Sequence, residues 1–138
     1  MAEQDLVFLT ANEVLALFRS RQLSPVDFLD AIIERAETIE SAVNPFADKY
    51  FDEAKARAKR SEEHYRTGTA RPLEGVPLLV KDSSPIKGIR STVGSLRNAE
   101  NIDHHTDPSI DRLFKAGANF FARSTCPEFC FPTWGAHC

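Results

Sequence analysis

Nowhere in the 138 residues does an apolar stretch approach the ~20 residues that a bilayer-spanning helix needs, so no membrane span is expected. Met1 to Asp5 lacks the basic n-region and the continuous apolar core of a secretory signal, which makes the cytoplasm the expected location. Cysteine is scarce. Cys126, Cys130 and Cys138 are odd in number and crowded at one end, which suits a reducing compartment better than a disulfide framework. Neither sign of charge dominates: a formal net charge of −3 and a pI near 5.8 give no reason to expect a nucleic-acid partner. The one dense basic run, Lys55, Arg57, Lys59 and Arg60, is flanked by Glu53, Glu62 and Glu63 and reads as a solvated helix face, not a phosphate-binding patch. Internal repeats and low-complexity tracts are missing as well.

What is present is an ordinary globular balance. Hydrophobic residues make up 42% and charged residues 27%, which argues against disorder, and the length suffices for one domain with a core of its own. Cys126-x3-Cys130-x6-His137-Cys138 offers four zinc-type ligands. It has no Cys-x2-Cys knuckle, however, and Pro127 and Pro132 constrain the backbone between ligands, so buried or incidental thiols are the better account and no metal is expected.

The elements follow from caps and periodicity. Thr10-Ala11-Asn12-Glu13 fits a capping box, and Val14, Leu15, Leu17 and Phe18 then form one apolar face. Ser24-Pro25-Val26-Asp27 is a second start, with Ser as N-cap and Pro at the first turn. Phe28, Leu29, Ile32, Ile33, Ala36 and Ile39 extend that helix as an amphipathic stripe to about Glu40. Phe46 to Tyr50 is a candidate extended segment after Asn44-Pro45. A third helix runs from about Asp52 to Tyr65, thinly apolar, with one well-exposed side, and Thr67-Gly68-Thr69 ends it.

The pattern changes at Leu73. Gly75 to Val80 is a short apolar run that reads as a strand buried on both faces. Polar loop material fills Ser83 to Thr106. Asp107-Pro108 opens a helix with Ile110, Leu113, Phe114 and Ala116 inward and Gly117 as C-cap, and Ala118 to Ala122 is a second buried strand. Strand, connection, helix, strand is a βαβ order, so the two strands are expected to be parallel. The fold class is α/β: N-terminal helices over residues 1–70, then part of a mixed, largely parallel sheet over 71–138.

Taken alone, Val80-Lys81-Asp82 is a lysine surfacing at a strand end. Its surroundings say more. Gly75-Val76-Pro77-Leu78-Leu79-Val80-Lys81-Asp82, then Gly88 and Ser91-Thr92-Val93-Gly94-Ser95, closely resembles the N-terminal hallmark of the amidase-signature family. Asp111 to Ala118 looks like the helix and strand that follow it there, and Arg123-Ser124-Thr125-Cys126-Pro127-Glu128-Phe129 is similar to the family's Thr-x-x-Glu-Phe segment. The matches stand in the right order over Leu73 to Phe129, and the opening helices fit more loosely.

The resemblance implies hydrolysis of carboxylic amides of small molecules by a Ser–cis-Ser–Lys triad, without metal or organic cofactor. Lys81 maps onto the triad lysine, acting as a neutral amine through a bridging serine upon the nucleophilic serine. A free lysine titrates near 10.4, too high for a base at neutral pH, and apolar surroundings of the kind Leu78, Leu79 and Val80 would make disfavour the ammonium. Asp82, on the opposite face of a strand, reads as a structural hydrogen-bonder. Thr125 and Glu128 are expected to brace the neighbourhood, and His104-His105 to face solvent.

The departure from the family lies in what does not follow. The bridging serine, the nucleophile and the Gly-Gly-Ser-Ser-Gly-Gly loop lie further along in family members, and the 6 glycines here include no adjacent pair. Ser83 and Ser84 sit beside Lys81, but in a continuing strand Ser83 would stand roughly 6.5 Å away with its side chain parallel. Pro85, moreover, signals a turn. The chain is expected to be the N-terminal portion of one amidase domain, about the first third, inactive alone and prone to self-association through an exposed sheet edge and the aromatic tail of Phe129, Phe131 and Trp134. Two other readings stand beside it: a noncatalytic interaction protein that kept this fold, and a self-contained Ser-Lys hydrolase using Ser83 or Ser84.

Overall fold

The computed structural model describes residues 6–131. Pro132, Trp134, His137 and Cys138, and with them half of the four-ligand zinc reading and part of the aromatic tail, lie outside the described residues.

Helix α1, Ala11–Arg19, begins with the capping box read from its sequence: the Thr10 hydroxyl accepts from the Glu13 amide, and the Glu13 carboxylate accepts from the Thr10 amide at 2.7 Å. Helix α2, Pro25–Val43, starts on Ser24 with Pro25 in the first turn and runs past Glu40 to a left-handed Asn44 cap. Strand β1, Phe46–Lys49, and helix α3, Phe51–Thr67, follow, and Gly68 ends α3 in the left-handed region. Strand β2 is Pro77–Lys81, helix α4 is Pro108–Lys115 with Asp107 as N-cap, and strand β3 is Asn119–Ser124. Gly117, the C-cap expected for α4, follows an Ala116 cap in the right-handed region and itself takes φ 103°.

The sheet is mixed, in the order β1-β3-β2, with β2 parallel and β1 antiparallel to the central β3. The parallel pair is the product of the βαβ order. Against β2 the register steps from Leu78↔Phe120 to Leu79↔Ala122, leaving Phe121 out of the ladder, and the Phe121 carbonyl accepts from the Tyr50 amide instead. Neighbouring phenylalanines thereby serve opposite layers. Phe121 packs with Leu29, Ile33, Ala54 and Ala58 of α2 and α3, whereas Phe120 packs with Val80, Ile86 and Ile110 on the α4 side. Val14, Phe18 and Phe28 join α1 to α2.

The apolar stripe of α2 has its partners in α1, α3 and β3: Leu29 is fully buried and Ile33 and Ala36 nearly so. Two expectations need correction. Strand β2 is not buried on both faces. Leu78 and Val80 face the α4 cluster, but Leu79 and Lys81 look outward, Leu79 at 43% exposure, because on the other face α2 and α3 pack over β3 and not over β2 among the described residues. The basic run of α3 is not wholly solvated either. Arg57 turns inward, its Nε donating to Asn119 Oδ1 at 2.9 Å and its Nη2 to the Phe120 carbonyl, and so ties α3 to the start of β3.

Candidate active site

Lys81 is the last residue of β2, paired with Ser124 of β3 at the carboxyl end of the parallel strands, and its side chain is exposed. Ligands of open α/β sheets bind at that end of the strands. Asp82 lies on the other face with 1% of its surface exposed, as strand alternation demands. Its carboxylate accepts from the Thr92 amide with both oxygens at 3.1 Å, from the Thr92 hydroxyl at 2.6 Å and from the Gly94 amide at 3.4 Å. Asp82 is thus the structural hydrogen-bonder expected, and it anchors the Ser91–Ser95 segment beneath Lys81.

The chain turns away directly after Lys81. The Ser84 amide donates to the Lys81 carbonyl at 2.9 Å, so Ser83 and Ser84 form the turn rather than an extension of the strand. Lys81 does share a neighbourhood with Ser83, Cys126 and Cys130. Burial, with Cys130 beside it, pushes the Cys126 thiol up to about 11. Burial acts upward on Cys130 too, but its contacts with Ser83, Cys126 and Lys81 outweigh it and lower that thiol.

The second half of the motif closes over the first. Gly94 has φ 67° and its backbone runs so close to Cys126 and Pro127 that a Cβ would stand 2.5 Å from the Cys126 carbonyl oxygen. The Phe129 amide donates to the Val93 carbonyl at 2.7 Å, and the Ser95 hydroxyl donates to Glu128 Oε1 at 2.8 Å. The Thr125 amide donates to the Pro45 carbonyl at 2.9 Å. Glu128 and Thr125 thus make structural hydrogen bonds, Glu128 to the loop at Ser95 and Thr125 to the segment before β1, and His104 and His105 are exposed. A cavity of about 290 Å³ opens beside this loop, lined by Phe46, Asp82, Thr92, Gly94, Thr125 and Cys126 among others.

Two residues that organise the site were not singled out from sequence. Arg123 is fully buried, and its guanidinium Nη1 donates to the Lys81 and Ser84 carbonyls at 3.0 Å each. Its Nη2 donates to Asp103 Oδ2 at 3.0 Å, and its Nε lies 3.8 Å from Asp82 Oδ1. Asp103 in turn accepts from the Ile86 amide at 2.9 Å and the Ser91 hydroxyl at 2.6 Å, so it gathers the polar loop 83–106 around one carboxylate. The signal for Arg123 was a charge directly after a buried apolar run. For Asp103 the local sequence carries none, since the partners just named lie 12 to 20 residues away.

At the opposite end of the strands, Glu74 is buried between Ser61, whose hydroxyl donates at 2.6 Å, and Arg71, whose Nε donates at 2.6 Å. Burial pushes the Glu74 carboxyl up, but the bonds from Arg71 and Ser61 and the Arg71 charge prevail and hold it below its usual value. Among the described residues no helix is long and apolar enough to cross a membrane.

The fold agrees with what comparison with known proteins finds. An acylamidase of Rhodococcus erythropolis is 30% identical over 132 residues, covering 93% of this chain and 27% of its own length. One of the subunits of the glutamyl-tRNA(Gln) amidotransferase of Dehalococcoides mccartyi is 30% identical over 125 residues, covering 91% of this chain and 26% of its own. The solved structure of a fatty acid amide hydrolase superposes with a TM-score of 0.91 at 23% identity, over 99% of this chain and 24% of that one, a likeness of fold. The chain therefore spans about a quarter of the length of the relatives it matches, less than the third expected from sequence. The Amidase family profile matches residues 27–137, and the chain belongs to the amidase family.

Proposed function

We propose that these residues are the N-terminal portion of a single amidase domain that hydrolyses carboxylic amides, and that Lys81 is its base. The observation that carries this reading is the placement of Lys81. It stands on the open face at the carboxyl end of the parallel strands, while Asp82 and Arg123 beside it are buried, Asp82 holding the Thr92–Gly94 loop and Arg123 the turn after Lys81. In the reaction, a serine Oγ supplied from beyond this sequence attacks the amide carbon. Its proton passes through a bridging serine to the Lys81 amine and then to the departing nitrogen, and water cleaves the acyl-enzyme. The name of one relative, an acylamidase, favours an amide bond as the target.

On this reading the 138-residue chain has a base with nothing to activate. Purified chain is expected to show no turnover of anilides or esters above background and no stoichiometric labelling by a fluorophosphonate serine probe. The protein extended to the length of its relatives is expected to show both. Robust turnover by the isolated chain that disappears in Ser83→Ala or Ser84→Ala would contradict this and favour a local Ser-Lys pair.

A further inference from the structure

We propose that Arg123 is a positioning residue for Lys81, an inference that rests on Lys81 being the base. Lys81 ends its strand, and its long side chain has four rotatable bonds, so where the amine goes depends on how firmly the backbone at Lys81 is held. Beyond its pairing with β3, three bonds fix the turn that follows it. The Ser84 amide closes the turn on the Lys81 carbonyl, and one guanidinium nitrogen of Arg123 joins that carbonyl to the Ser84 carbonyl, the first and last residues of the turn. The same guanidinium is itself held from behind by Asp103 at 3.0 Å, with Asp82 3.8 Å from its Nε. Among the described residues that Nε has no hydrogen-bond partner, so the two carbonyls and Asp103 fix the group.

Such a clamp needs a guanidinium. Its planar fork donates in several fixed directions at once, whereas an ammonium is a point charge at the end of a flexible stem. A lysine in place of Arg123 has a single nitrogen, which can bridge the two carbonyls or pair with Asp103 but cannot occupy the Nη1 and Nη2 places at once. A fully buried ion cluster is in general a weak source of stability, which leaves the fixed geometry of the Lys81 turn as what this one supplies. Displacement of a reacting group by as little as ~1 Å can cost on the order of 100-fold in rate.

The test is a double-mutant cycle in the protein extended to the length of its relatives, with kcat, KM and the thermal midpoint read for each variant. Arg123→Lys is expected to lower kcat by roughly 10- to 100-fold while KM stays within about twofold. In a Lys81→Ala background, Arg123→Lys is expected to change the residual turnover by less than about twofold, since it acts only through Lys81. Asp103→Asn, which loosens the guanidinium from behind and leaves the carbonyl bonds in place, is expected to show the same non-additivity with a smaller loss. Equal losses in both backgrounds, or an unchanged kcat in folded Arg123→Lys, would overturn the positioning role while leaving Lys81 as the base. Near-normal turnover of Lys81→Ala alone would instead remove the reading on which the proposal rests.

Discussion

Replacing Gly94 by alanine tests how the two halves of the motif are held together, and Gly88 provides its control within the same loop. Both glycines have positive φ, 67° at Gly94 and 79° at Gly88, so an alanine at either pays the left-handed backbone penalty of about 1–2 kcal/mol. Their surroundings differ. A Cβ at Gly88 meets nothing within 4 Å, whereas at Gly94 it stands 2.5 Å from the Cys126 carbonyl oxygen and 2.8 Å from that of Pro127. Those are backbone atoms, so relief requires the Ser91–Ser95 and Cys126–Glu128 segments to separate, at an overpacking cost of about 1–3 kcal/mol. The Phe129 amide, bonded to the Val93 carbonyl, reports on that separation. Relative to Gly88→Ala, Gly94→Ala is expected to speed hydrogen exchange at Phe129 by roughly 5- to 150-fold, the same energy expressed as an opening equilibrium. Equal protection of Phe129 in the two variants would refute the close approach as the reason for glycine here.

Other outcomes follow from the same contacts. The isolated chain is expected to self-associate with rising concentration through the open edge of β2 and the exposed Leu79, Phe129 and Phe131; size-exclusion chromatography with light scattering checks this, and a clean monomer at all concentrations would count against it. Glu74, held below its usual carboxyl value, contributes stability that is fully present above the ordinary value of about 4.3 and is lost as pH falls through its lower folded value. Glu74→Gln is therefore expected to lower the thermal midpoint at pH 7 and to flatten its decline below about pH 4.3. Ser83→Ala and Ser84→Ala in the extended protein are expected to leave turnover close to normal, since both serines serve the turn; a loss as large as that of Lys81→Ala would argue for a direct role.

How much of this was legible in the sequence depended on how far apart the partners lie. The caps at Thr10, Ser24 and Asp107 act within two or three residues, so their residue types announced them, and the parallel pairing of β2 with β3 followed from the order of elements. The exposure of Leu79 was hidden, because a short apolar run looks the same on an open sheet edge as in the middle of a sheet. Arg57 read as a solvent-facing charge because spacing along a helix does not reveal that a neighbouring strand offers Asn119 and the Phe120 carbonyl. Asp103 was invisible for the same reason, and Arg123 showed only as a charge after an apolar run: each gathers groups distant in sequence, and no local period records that. Lys81 itself was legible through the motif around it, while its clamp was not.

The most direct test of the central claim compares Lys81→Ala and Lys81→Arg in the protein extended to the length of its relatives. Lys81→Ala is expected to lower turnover by several orders of magnitude with the fold intact by circular dichroism. Lys81→Arg is expected to fail as badly, because arginine keeps its proton and cannot accept one from a serine. Near-normal turnover in either folded variant would contradict the assignment of Lys81 as the base.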